Sequence, residues 1–316
     1  MTSLKQSAII GAVFAVLAAL SNGTVGVLSR AAFHQGLDAS TVAFARCGVA
    51  LLVVSLIVLA SKGCVAKICA GFRDSWKIAI CSALGIFTLY HFETQALSFA
   101  SIPLVSILVF AGGLGAIALD IFILKEKVTP RKILAMVLVF GGGVFLIAGD
   151  GLATGSMWGV SLALIAGFGY ASFMFSWKFF KLKSCLENFW WFLAYGFAML
   201  AIPYVASGAP ALPLATLPNL LALGLIPSLC GFYCTIVALH HIEAYKAQVI
   251  ESSEPFFSAL FAAIIFGEWL TGEASVAGLA IICGALMTSL PEASDVPPTR
   301  VGSNSERNDA QVTNEL

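Results

Sequence analysis

Between Lys5 and Leu290 the chain is a succession of long apolar runs separated by short polar breaks, and that pattern limits the fold more than any motif does. A helix of about 20 apolar residues crosses a bilayer. Ten such runs can be marked, at about 7–29, 39–60, 76–97, 102–124, 131–149, 156–178, 188–206, 216–238, 245–267 and 273–290. Only 11% of the 316 residues are charged and 59% are hydrophobic, whereas a soluble domain carries about 25% charged residues. The chain therefore reads as an all-α, polytopic integral membrane protein. The first run is too long for a signal-peptide core and lacks a cleavage site, so it is expected to be an uncleaved first span. Residues 291–316 turn abruptly to Pro, Ser, Asp, Asn and Glu, the composition of a disordered tail.

Basic residues set the orientation, because cytoplasmic loops carry an excess of Lys and Arg. With the N-terminus inside, 15 of the 17 basic residues fall on the cytoplasmic side, and only Arg30 and Arg46 do not. Both termini are then cytoplasmic. The formal net charge is +0 and the basic residues sit in short loops rather than in a patch, so no nucleic-acid partner is indicated. The eight cysteines contain no CxxC pair and no ligand-spaced Cys/His set, so neither a metal site, a cofactor nor a disulfide framework is expected.

The chain repeats itself. A shift of 142 residues aligns Ala96-Leu97 with Ala238-Leu239, Glu126 with Glu268 and Gly142 with Gly284; a shift of 148 aligns Gly11 with Gly159, Ala15 with Ala163 and Ala18 with Ala166. Residues 1–149 and 156–290 thus form two halves of five spans each. Five is odd, so the second half must enter the membrane in the opposite sense, as in many secondary transporters.

Span 9 carries two carboxylates and a proline inside its apolar run, Glu251, Glu254 and Pro255. A charge at membrane depth costs at least about 2.5 kcal/mol, so such acids face a bundle interior or a water-filled cavity. Pro255 lacks an N–H and crowds the Glu251 carbonyl, which predicts a kink. At about 100° per residue Gln248, Glu251, Glu254, Pro255 and Ser258 share one face. The bland alternative is that Glu254 is neutral or paired and only packs helices.

The segment SSEPFFSALFAAIIFGEWLT (252–271), its fainter copy FAGGLGAIALDIFILKEKVT (110–129) and the five-plus-five arrangement resemble the EamA-type, ten-helix branch of the drug/metabolite transporter superfamily. The resemblance covers residues 7 to 290. It makes Glu126 and Glu268 signature positions at the ends of spans 4 and 9, as gate contacts or structural caps, and it implies export. The first copy has Gly112-Gly113 where the second has Glu254-Pro255, so span 4 is expected to flex through glycine and the central site to be asymmetric.

Other polar groups lie at membrane depth. Arg46 in span 2 and Glu93 in span 3 fall at similar depth and can pair; Arg46 either binds a substrate anion through its planar fork or forms a structural or gating pair. Tyr90, Glu93 and Thr94 share a face of span 3, with His91 beside them as a pH-sensitive group or a merely hydrogen-bonded one. Asn22, within Ser21-Asn22-Gly23-Thr24, breaks span 1, and Tyr170 stands at the corresponding depth of span 6. Tyr170 and Tyr195 are candidates for cavity lining, whereas Trp177, Trp190 and Trp191 fit an interfacial aromatic belt. Gly141-Gly142-Gly143 and Gly284 read as helix packing. No nucleophile–base set and no nucleotide loop is present, which argues against an enzyme.

The expectation is a secondary active transporter in a bacterial-type cytoplasmic (inner) membrane, moving small organic metabolites such as amino acids or their analogues by alternating access. Substrate-binding candidates are Asn22, Arg46, Tyr90, Glu93, Tyr170, Tyr195, Gln248, Glu251 and Glu254. Coupling or gating candidates are Glu254, Pro255, Gly112, Gly113, Glu126 and Glu268. Its partners are the bilayer, a small-molecule substrate and protons as a coupling ion, in a monomer or homodimer. A carrier of nucleotide-like or phosphorylated anions on the same fold is the first rival; a passive channel or an intramembrane enzyme follows.

Overall fold

The apolar runs become helices because a backbone without water must bond to itself. The computed structural model describes residues 2–72, 75–112, 156–242, 244–251 and 253–267, with isolated positions in 130–145 and 269–283. Every regular element among the described residues is helical. Spans 5 and 10 lie mostly outside them, as do Gly113, Glu126, Gly142, Gly143, Glu268, Gly284 and the tail.

Spans 2, 6 and 7 are continuous helices, Ala39–Ala60, Met157–Phe179 and Leu186–Ala206. Asp38 caps span 2 by accepting from the Ser40 and Thr41 amides at 3.0 and 3.2 Å, and Ser156 caps span 6 at the Gly159 amide. Each cap satisfies amides that a helix start leaves unpaired. Ile202 and Ile264 are 70% exposed and Leu59 71%, on faces turned away from the bundle. Five segments, among them Ile9–His34 and Leu214–His241, are long and apolar enough to cross a membrane.

Span 1 breaks as its polar insert requires: Thr2–Asn22 ends, the Thr24 hydroxyl donates to the Ser21 carbonyl at 2.7 Å, and Val25–His34 resumes. Span 9 is interrupted where the kink is expected. It is two helices, Ala244–Glu251 and Glu254–Phe266. Pro255 sits in the first turn of the second helix, where the N–H it lacks has no intrahelical partner anyway, so proline starts a helix here instead of bending one. The two breaks meet. Ser258 donates to the Gly23 carbonyl at 3.2 Å, and a Cβ at Gly23 would lie 2.7 Å from Phe257 Cβ.

Spans 3 and 8 hold a feature that periodicity did not reveal. Each contains a π-helical stretch, Ala83–Thr88 and Gly224–Gly231, in the same register under the 142-residue shift. In both, a hydroxyl bonds back five residues: Thr88 to the Ala83 carbonyl at 2.8 Å and Ser228 to Leu223 at 3.0 Å. π-bulges widen a helix locally and recur at functional sites. Pro227 lies inside the second, where the wider turn accommodates its ring.

Packing between the halves follows an exchange rule. Span 1 packs on spans 8 and 9, and span 6 on spans 3 and 4; span 2 meets span 8 as span 7 meets span 3; span 2 meets span 7, and span 4 meets span 9. Small residues permit the closest approaches. A Cβ at Gly167 would strike the Val109 backbone, and one at Gly112 would lie 2.5 Å from the Leu164 carbonyl. Gly112 is thus a packing contact between spans 4 and 6.

Candidate functional site

The helix breaks and π stretches converge on one buried cavity. Asn22, Arg46, Tyr90, Glu93, Tyr170 and Glu254 all line it. They come from spans 1, 2, 3, 6 and 9, so no single element holds the site. Its free volume is about 20 Å³, room for little more than one water.

Arg46 is 1% exposed. Its Nη2 donates to Glu93 Oε2 at 3.2 Å, and its guanidinium carbon lies 3.7 Å from the centroid of the Tyr90 ring. The pairing expected from depth is therefore present, reinforced by a cation–π contact of the kind worth about 2 kcal/mol when desolvated. Arg46 Nε has no hydrogen-bond partner among the described residues.

Glu251 is fully buried behind the cavity wall. Tyr170 donates to its Oε2 and Thr235 to its Oε1, the latter at 2.9 Å. Glu254 is buried, within electrostatic reach of Glu93, Glu251 and Arg46, and makes no hydrogen bond or ion pair among the described residues. Gln248, one turn before Glu251, is half-buried and does not line the cavity.

Two aromatic side chains lie elsewhere than the sequence suggested, and His91 stands apart from the site. Tyr195 lies away from the cavity: its hydroxyl is 2.6 Å from Ser75 Oγ and its ring stacks on Trp191. Trp177 faces protein rather than lipid. It is 2% exposed, in ring contact with Phe173 and Phe192, because spans 3 and 7 cover that face of span 6. His91 stacks on Phe87 outside the cavity lining. Conversely, Thr235, Ser228 and Phe232 belong to the site and were missed, although the 142-residue shift places Phe232 opposite Tyr90 and Thr235 opposite Glu93.

The cavity is closed unequally at its two ends. Ser156 N–H donates to the Phe99 carbonyl, so span 6 starts beside the turn after span 3. At that end lies an open vestibule of about 750 Å³ walled by Arg30, Asp38, Gln95, Ser98 and Ser101. Arg30 holds its rim by donating to the Leu97 and Ala100 carbonyls at 3.2 and 2.8 Å. A single residue of span 3, Thr94, stands between Gln95 in the vestibule wall and Glu93 in the cavity wall. Toward the other end of span 6, an aromatic plug fills the bundle: Phe173 and Phe192 touch each other and both Phe232 and Trp177, with ring centroids 5.0–5.9 Å apart. Gly85 makes room for it, since a Cβ there would lie 2.7 Å from the Phe173 ring.

A bundle of two similar halves, broken at matching depths around buried ionisable groups, defines a class of membrane carriers. The chain belongs to the EamA-like transporter family, whose family model matches it twice, over residues 9–148 and 157–290. A solved crystal structure of a protein with 15% sequence identity superposes with a TM-score of 0.64, covering 90% of this chain and 97% of that one; at that identity the likeness concerns the fold. Among curated proteins nothing matches.

Proposed function

We propose that this transporter is a proton-coupled secondary carrier of the inner membrane that exports small ammonium-bearing metabolites, amino acids or their analogues, by alternating access. The observation that carries this reading is the charge balance of the cavity. Among the described residues the Arg46 guanidinium is the one buried cation: it pairs with Glu93 and lies within reach of Glu254, while Glu251 has only the Tyr170 and Thr235 hydroxyls. Uncompensated charge in a dry interior is expensive, so the two remaining carboxyls are balanced by protons or by a bound cation. Protons then enter as an ammonium solute leaves, and the exchange of one for the other is the coupling. Arg46 Nε is the free donor for the solute carboxylate.

Unequal closure supports the alternating part of the reading. A thick aromatic plug on one side and a thin polar partition on the other is the arrangement of an occluded state that opens more readily toward the vestibule. Counterpart spans run in opposite directions, span 1 toward the vestibule and span 6 away from it, which supports an inverted repeat. Basic residues at the plugged end support its placement on the cytoplasmic side.

The test is solute-induced thermal stabilisation of the purified protein, since a ligand of the folded state raises apparent stability by mass action. L-amino acids, nucleotides, sugar phosphates and cationic drugs are compared at pH 6 and pH 8. Stabilisation by amino acids that is lost in Glu254→Gln is the expected result. Stabilisation by phosphorylated solutes alone, lost in Arg46→Gln and indifferent to Glu254→Gln, overturns it in favour of the anion-carrier reading, which the free Arg46 Nε also favours.

A further inference from the structure

At the plugged end, remote from the cavity, two thiols meet on one carboxylate. Cys64 opens the short helix Cys64–Gly71 that follows span 2, and Cys185 precedes the first turn of span 7. Glu187, two residues into that span, lies within electrostatic reach of both thiols and pairs with Lys67 at 3.5 Å. Lys67 lies three residues after Cys64, on the same side of the helix. The helix is held against span 7 by its buried residues Cys64 and Ile68 and by the Trp191 indole, which donates to the Ile68 carbonyl at 3.3 Å. Cys64 belongs to the first half and Cys185 to the second. Cys185 is partly exposed, Cys64 is buried, and both are free thiols.

We propose that Cys64 and Cys185 are a redox-sensitive pair whose disulfide ties the two halves together at the plugged end and arrests the carrier in the state seen here. The arrest rests on the alternating-access reading; the thiol chemistry does not. The oxidant is a small disulfide of the glutathione type. The accessible Cys185, as thiolate, attacks one of its sulfurs and forms a mixed disulfide, and the other glutathione leaves as a thiolate that takes up a proton. The Cys64 thiolate then attacks the Cys185 sulfur and expels the second glutathione. Two protein thiols are oxidised and one disulfide is reduced to two thiols. Partial burial and the Glu187 charge raise the Cys64 thiol above its ordinary value. Burial raises Cys185 as well, against the opposing pull of the Asn188 N–H at the start of span 7. Thiolate is therefore scarce, and the exchange is slow unless the disulfide is abundant.

The full chain in detergent is treated with glutathione disulfide, digested without reductant and mapped by mass spectrometry; a second portion is reconstituted, and proton movement driven by a mixture of L-amino acids is read with a trapped pH-sensitive dye. The expected result is a linked Cys64–Cys185 peptide pair that dithiothreitol reverses. Cys64→Ser stops at the glutathione adduct on Cys185, and Cys185→Ser leaves Cys64 unmodified. Flux falls to that of empty vesicles in the linked protein and returns on reduction. A stable glutathione adduct on wild-type Cys185, or no modification, overturns the pair; a link with unchanged flux overturns the arrest. Reduced protein that moves no protons with any amino acid speaks against the carrier reading instead, leaving the link to be judged by the peptide map.

Discussion

Tyr90 and Phe232 occupy the same position in the two halves, 142 residues apart, and their rings touch edge to face with centroids 5.4 Å apart and an interplanar angle of 75°. The relation between the halves therefore passes through the cavity wall. It is broken there by chemistry: Tyr90 lies under Arg46, while Phe232 carries no hydroxyl and turns its ring to Tyr170, Phe173 and Phe192. Phe232 thereby joins the site to the plug, and Phe232→Ala is expected to cost about 3–5 kcal/mol, the range for a buried aromatic. Thermal melting in detergent reads the loss. Proton leak into empty-lumen vesicles without any solute reads the opened plug, and an unchanged leak contradicts the plug's role.

The Arg46–Glu93 pair separates stability from transport. Glu93→Ala leaves a buried guanidinium without its carboxylate, a loss of roughly 3–5 kcal/mol when one partner of a buried pair is removed. Arg46→Gln with Glu93→Gln removes both charges and recovers most of the melting temperature, yet transport stays absent. Recovery of transport in the double variant contradicts a direct role for the pair.

Tyr170 and Thr235 both donate to Glu251, so their effects are coupled. Each of Tyr170→Phe and Thr235→Val removes a hydrogen bond to an acid, costing roughly 1.5–3 kcal/mol. The double variant departs from additivity by roughly 0.5–3 kcal/mol because the two share one partner. A double-mutant cycle on chemical or thermal denaturation measures this; strict additivity separates the three residues.

The crossing of spans 1 and 9 leaves no room for a side chain at Gly23. Gly23→Ala is expected to lower the melting temperature and Gly23→Leu to prevent assembly, since Phe257 and the Ser258 backbone are already in contact distance. Size-exclusion profiles of the two variants check the order of severity.

Cys185 titrates on the alkaline side of a free thiol. Because its value is raised, the thiolate fraction at any lower pH is smaller than that of free cysteine, so alkylation by iodoacetamide is slower at pH 7.5 and accelerates with pH. Glu187→Gln removes a charge that opposes the thiolate and speeds the reaction at fixed pH. A rate equal to that of free cysteine contradicts the assignment.

Much of this was legible in the chain itself. Ser21-Asn22-Gly23-Thr24 marked the break in span 1, and the depth of Arg46 and Glu93 in consecutive, oppositely directed spans brought them to one level. Pro255 marked a discontinuity whose form it could not decide, because proline bends a helix interior but starts a helix equally well. The π stretches escaped notice because one extra residue in a turn leaves the apolar pattern of a membrane span unchanged. The burial of Trp177 escaped notice for a related reason: nothing in the sequence says that neighbours cover its face.

Apolar run length, basic-residue asymmetry and the internal repeat settle from sequence that the chain is a helical membrane protein of two similar halves, and the cost of burying charge singles out Arg46, Glu93, Glu251 and Glu254. The tertiary structure alone decides which of these meet. Arg46 finds Glu93 across 47 residues, Tyr170 finds Glu251 across 81, and Tyr195 turns away. In water a helix buries one apolar stripe and thereby announces its inner face. In a bilayer both lipid and neighbour are apolar, so the face that packs is chosen by fit between small residues and by polar bonds between helices, and those exist only once the bundle has formed.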